Sequence, residues 1–212
     1  MKVGTDGVLL GAWARGGSCI LDVGTGTGVV ALMMAQRYPS ARVTALDIDG
    51  DAVEQARENV SHSPFAGRVD VLLQRVQDHE GCYDSIVSNP PFFIDSLAAP
   101  DRQRNMARHA DTLTYGELMQ AARRLLTDDG ELSVVAPFDY RQRMEDEAVF
   151  CGFFPCRVCG VKTVERKPVR RFLLSFRKTP CPCVTEELTI GDARYQELTQ
   201  EFYLERENRT SK

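Results

Sequence analysis

The sequence lacks several features that would assign its class at once. It has no apolar run of the roughly 20 residues that a membrane-spanning helix needs, so no membrane partner is expected. Its start is unlike a secretory leader, because Met1-Lys2 runs into Gly4, Thr5 and Asp6 instead of an apolar stretch. It has no low-complexity tract. With 43% hydrophobic and 26% charged residues over 212 positions, it has the material for a real core. It also lacks a positive net charge, standing at −4. These absences lead us to expect a cytoplasmic, monomeric globular protein made of a single domain, residues 1–212.

Seven cysteines are present, an odd number, and no secretory signal accompanies them. Reduced thiols are the expectation. Cys156-Arg-Val-Cys159 and Cys181-Pro-Cys183 have the look of a zinc site. The first pair falls in an expected strand, 154–164, where residues three apart face opposite sides. No metal is expected. Charge is unevenly spread. Residues 101–180 carry 15 Lys/Arg against 11 Asp/Glu, whereas both flanking segments are acidic. An anionic partner belongs on that middle segment, unless its cations only solvate the surface.

Periodicity predicts alternating strands and helices. A short helix carrying Val8, Leu9, Leu10 and Trp13 starts at a possible Asp6 cap. Strands are expected over 19–23, 43–47, 68–73, 83–88 and 131–136, with helices over 29–37, 51–60, 113–126 and 140–150. Residues 154–164 and 171–177 read as a terminal hairpin within 154–178, and 193–204 as a last helix. The segment 92–111 has little apolar periodicity and is expected to be a substrate loop. The implied fold is α/β: a mostly parallel, seven-stranded sheet with a terminal antiparallel hairpin and helices on both faces.

Two motifs carry chemistry. Asp22-Val-Gly24-Thr-Gly26-Thr-Gly28 follows a strand and opens a helix. Glycines let backbone turn tightly and approach a ligand without Cβ atoms in the way. The G-x-G-x-G spacing departs from the dinucleotide fingerprint and resembles the first motif of S-adenosylmethionine methyltransferases. Asp22 then suits the cationic methionine amino group. Asp47, ending the second strand, suits the ribose hydroxyls. Asp49 is the alternative, although it also reads as a helix cap. Thr5 and Asp6 are expected to cover the cofactor, the alternative being a plain capped turn.

The second motif is Ser88-Asn89-Pro90-Pro91-Phe92-Phe93, at the end of the fourth strand. Two prolines remove two N–H donors and stiffen the backbone. Proline after Asn89 forces that residue towards an extended conformation. The Asn89 side-chain oxygen and the Pro90 carbonyl are then acceptors for a planar amino group, and Phe92 offers a face for a base to stack on. Arg102, Arg104, Arg108 and His109 follow this loop. Arg166, Lys167, Arg170 and Arg171 cluster at the hairpin. Both groups are candidates to hold the phosphates of an anionic partner, the alternative at the hairpin being cations that only solvate an exposed loop.

Three stretches together resemble the bacterial enzymes that methylate N6 of adenine 37 in a valine tRNA: Met1-Lys-Val-Gly-Thr-Asp-Gly-Val-Leu-Leu-Gly-Ala-Trp13, Ser88–Phe93 with Ala107-Arg-His109, and Glu201-Phe-Tyr-Leu204. The resemblance implies an S-adenosyl-L-methionine-dependent, Rossmann-like methyltransferase acting on tRNA. It also brings departures. The family has residues ahead of Lys2-Val-Gly-Thr-Asp6. Val76 stands where many relatives place an acid against the cofactor's adenine, so backbone or Gln77-Asp78 is expected to serve there. Adenine in DNA or ribosomal RNA, or glutamine N5 in a protein, presents the same planar nitrogen. A nucleotide-binding oxidoreductase is disfavoured by the glycine spacing, and a non-catalytic module by the intact Asn-Pro-Pro-Phe.

Overall fold

The computed structural model describes residues 4–90 and 113–203. One sheet runs through them, in the strand order β3-β2-β1-β4-β5-β7-β6-β8. The strands are β1 Cys19–Val23, β2 Arg42–Asp47, β3 Val69–Leu73, β4 Tyr83–Ser88, β5 Leu126–Pro137, β6 Phe154–Lys162, β7 Arg171–Arg177 and β8 Val184–Thr189. β7 runs antiparallel to both β5 and β6, and all the other pairs are parallel.

The sheet has eight strands where seven are expected. The eighth, Val184-Thr-Glu-Glu-Leu-Thr189, buries only Leu188. An edge strand with one apolar anchor has no period-two signal to find. β5 also begins earlier than expected, at Leu126, opposite Tyr83.

The helices are α1 Thr5–Trp13, α2 Val29–Arg37, α3 Gly50–Ser61, α4 Tyr115–Leu125, α5 Arg141–Phe150 and α6 Ala193–Thr199. Alternation along the strands sends side chains to two cores. Ile20, Val43, Val71 and Val87 pack with α1, α2 and α3 on one face. Leu21, Leu46, Ile86 and Leu132 pack with α4 and α5 on the other. Sandwiched in this way, the central strands read as nearly continuous apolar runs, which is why their limits are legible. α1 is capped by Gly4 without a side-chain bond, so Asp6 is not the cap. It sits in the first turn, where a carboxylate favours the positive end of the helix.

Within the described residues, no helix is long and apolar enough to cross a membrane, and no group of His, Cys, Asp and Glu is placed to hold a metal ion. Cys156 and Cys159 are both buried, in different surroundings. Burial pushes each thiol up to about 12; the neighbouring charge is Glu131 for Cys156 and Glu186 for Cys159.

Candidate active site

Parallel register brings the strand ends level. Val23 lies beside Leu46 and Ser88, and Asp47 beside Leu73. In such sheets ligands bind beyond the carboxyl ends of the strands. A cavity of about 380 Å³ opens there, lined by Gly24, Gly26, Asp47, Asn89 and Pro90, by Gln74 to Gln77 after β3, and by Leu113. A larger one, about 580 Å³, lies beside the C-terminal ends of α1 and α2. It is remote from the strand ends, and its Arg37, Arg157 and Arg194 are engaged by the chain's own carbonyls and carboxylates.

The glycine loop forms the cavity floor. Gly24, Gly26 and Gly28 all have positive φ, 71°, 56° and 80°, a region L side chains rarely adopt. The Gly24 and Thr25 N–H groups both donate to the Leu46 carbonyl at 2.9 Å, folding the loop over the end of β2. Gly26 N–H donates to Asp47 Oδ2 at 2.8 Å, and Asp49 N–H to Asp47 Oδ1 at 3.0 Å. Backbone donors therefore fix the Asp47 carboxylate in place. Asp49 caps α3, accepting from Asp51 N–H at 3.0 Å. Gly28 lies away from the cavity: a Cβ there would sit 3.3 Å from that of Ala56, so it lets α2 approach α3.

Asp22 lies beneath the loop instead of on the cavity wall, a correction to the expected contact with the ligand. It is 1% exposed. Its Oδ2 accepts from Thr25 Oγ at 2.6 Å and from Ala31 N–H at 3.1 Å, stitching the loop to α2. Burial raises its pKa from 3.8 to about 7, opposed by those two donors and helped by the charge of Asp47. Asp6 is not among the residues lining the cavity either. It forms an ion pair with Arg171 at the start of β7, while Thr5 is exposed beside it. Arg171 is thereby committed within the chain and is not the free cation for a polyanion expected from its place in the basic cluster.

Pro137 at the end of β5 pairs with Arg171, so the β6–β7 connection lies at the same sheet edge as the cavity. Arg166, Lys167 and Arg170 are exposed on it. Ser88 Oγ donates to the Val23 carbonyl at 2.8 Å, tying β4 to β1 just before half-buried Asn89 and buried Pro90. Phe92, Arg102, Arg104, Arg108 and His109 lie outside the described residues. Sequence reasoning missed Gln74, Arg75 and Leu113 as wall residues. Nothing in their type or spacing marks them; only the end of β3 points to the first two.

The chain matches the model of the methyltransferase small domain over residues 8–151. It belongs to this family. The tRNA1(Val) (adenine(37)-N6)-methyltransferase of Bacteroides fragilis strain YCH46 is 48% identical over 96% of the chain and 91% of that protein. Proteins of the same name from Christiangramia forsetii and Histophilus somni strain 129Pt are 39% and 38% identical at the same coverage. Among solved structures, Atu636 of Agrobacterium tumefaciens, described as a predicted O-methyltransferase, superposes with a TM-score of 0.71 at 17% identity, over 92% of this chain and 96% of that one. TrmN of Thermus thermophilus gives 0.59 at 24% identity, over 81% and 47%. Both share the fold.

As a small-domain methyltransferase the chain uses S-adenosylmethionine, and the cavity fits that molecule. Asp47 is a fixed acceptor for a diol. A Cβ on Gly24 would meet nothing within 4 Å, so backbone there is open to a ligand. Buried Val76 lends an apolar surface at the far end.

Proposed function

We propose that this small-domain methyltransferase methylates N6 of adenine 37 in tRNA1(Val). One observation carries the chemistry: Asn89 and Pro90, at the end of β4, line the same cavity as Gly24, Gly26 and Asp47. The names of relatives up to 48% identical supply the acceptor.

S-adenosylmethionine supplies an activated methyl group on a sulfonium. The chain does the rest by holding groups in place. The nitrogen of an aromatic amine is a poor nucleophile because its lone pair is delocalised into the ring. Two acceptors, the Asn89 side-chain oxygen and the Pro90 carbonyl, hold its N–H groups. They favour a pyramidal nitrogen and stabilise the positive charge that grows there. Fixed orientation contributes much of the remaining rate, and Phe92 stacks the base. Arg166, Lys167 and Arg170, exposed at the same sheet edge, hold phosphates of the folded RNA, a role that charge and place in the sequence also give Arg102, Arg104, Arg108 and His109. Asp22 acts from below, keeping the glycine loop in shape.

Asn89→Ala tests the assignment. Transfer to tRNA is expected to fall about 10²–10³-fold, as when a group that stabilises developing charge is lost. Calorimetric affinity for S-adenosylmethionine should stay near wild type. Wild-type turnover by the variant would remove Asn89 from the reaction.

A further inference from the structure

β5 outruns β4 at the ligand-binding edge. Ser88 ends β4 and pairs with Val134, whereas β5 continues to Pro137. A short 3₁₀ turn, Phe138–Tyr140, follows and leads into α5. Phe138 therefore stands roughly 10 Å beyond the level of Asn89, at about 3.3 Å per residue. It is 55% exposed.

A single apolar side chain on a surface needs no explanation. Phe138 is set apart by how it is held and by what surrounds it. Its N–H donates to the Arg170 carbonyl at 3.0 Å, which ties the turn to the β6–β7 connection. Its ring leans on that of Phe172, with 6.0 Å between centroids and 31° between planes. Phe172 is buried and carries the Arg141 guanidinium 4.4 Å from its centroid. Arg141 in turn pairs with Glu145 at 2.9 Å. The Phe138 ring is thus backed by packed groups and open over the rest of its surface. Exposed Arg166, Lys167 and Arg170 stand on the connection it is tied to, against the exposed acids Glu165 and Asp139. The other exposed phenylalanines among the described residues, Phe150 and Phe154, lie towards the opposite edge, where β6 begins.

An aromatic face beside cations matches an unpaired base and its phosphates. Any base has a π-face to stack, whereas a duplex hides its base faces. A protein partner with an apolar anchor would leave the three cations without a counterpart. We propose that Phe138 is a stacking platform for an unpaired base next to the one being methylated, with Arg166, Lys167 and Arg170 on the flanking phosphates. The proposal rests on the acceptor being an adenine in an RNA loop. The spacing from Asn89 means that two bases, not one, fill the two places. Holding the neighbour outside the loop's own stack lowers the cost of turning the target base outward. Phe138 is thereby a positioning residue, remote from the reacting atoms.

Binding of tRNA1(Val) transcripts across a salt series tests this. Phe138→Leu keeps apolar contact with Phe172 but removes the flat face. Its tRNA dissociation constant should rise about 5–150-fold, the range of one base–aromatic stack. The salt slope should not change, because no phosphate contact is lost. Phe138→Trp should restore wild-type affinity. Transcripts made abasic on one or the other side of the methylated adenine identify the base: on one of them, wild type and Phe138→Leu should bind alike. A merely structural role would instead disturb the connection, flattening the salt slope and weakening every transcript equally. That result, or wild-type affinity in Phe138→Leu, overturns the proposal and leaves the acceptor assignment standing. A wild-type chain that does not bind the intact transcript overturns both.

Discussion

Asp22 is a carboxyl group shut off from solvent, with a pKa near 7 in the folded chain. The unfolded group titrates near 3.8. A proton is thus held more tightly in the folded state. The stability this contributes is full below about pH 4 and is lost as pH rises through about 7. Asp22→Asn keeps an acceptor for Thr25 and Ala31 but cannot ionise. Urea denaturation should find the variant gaining on wild type between pH 4 and pH 8; parallel curves would refute it. Positions at or just past a strand end were legible in the sequence: Gly24 and Gly26 follow β1, Asp47 ends β2 and Asn89 follows β4, and the four line one cavity. Less was legible at Asp22. A carboxyl one residue before a strand ends can turn to the ligand or under the loop, and the choice depends on where Thr25 and the first turn of α2 lie.

Among the elements, β8 was the one the sequence hid, and its anchors are long-range. Trp13 Nε1 donates to Glu186 Oε1 at 2.6 Å across 173 positions of chain. The Arg157 guanidinium lies 3.9 Å from the Trp13 ring centroid, 3.7 Å from Glu186 and 3.9 Å from buried Glu131, which also takes Arg177 at 3.0 Å. Such a chain of alternating charge leaves no periodic trace in sequence. It couples α1 to the edge strand. Trp13→Phe keeps the packing but removes the donor, at a cost of about 1.5–3 kcal/mol for a bond to a charged group. Hydrogen exchange should then accelerate in residues 184–189 more than in the central strands. Uniform acceleration, or none, would mean that β8 is held by other contacts.

For the whole molecule, the alternating pattern of buried strands and amphipathic helices made the fold legible, down to the hairpin that reverses β7. The electrostatic layout was legible only in part. Net charge is −4, yet the β6–β7 connection presents three exposed cations at the ligand-binding edge, and pairing of Arg171 with Asp6 removes the fourth. Sequence places four basic residues together; only the register of β5 with β7 sets them at that edge. Reversing Arg166, Lys167 and Arg170 to Glu should raise the tRNA dissociation constant and reduce its salt slope by about one for each phosphate no longer held. S-adenosylmethionine affinity should not change. An unaltered salt slope would take this connection out of the RNA surface.

The proposed target is one nitrogen on one nucleotide. The purified chain, S-adenosylmethionine and an unmodified tRNA1(Val) transcript should yield N6-methyladenosine, detected by mass spectrometry of the digested nucleosides. A transcript with guanosine at position 37 should yield none. Methylation that persists in that transcript, or no methylation of either while a protein glutamine or DNA adenine is modified instead, would contradict the account.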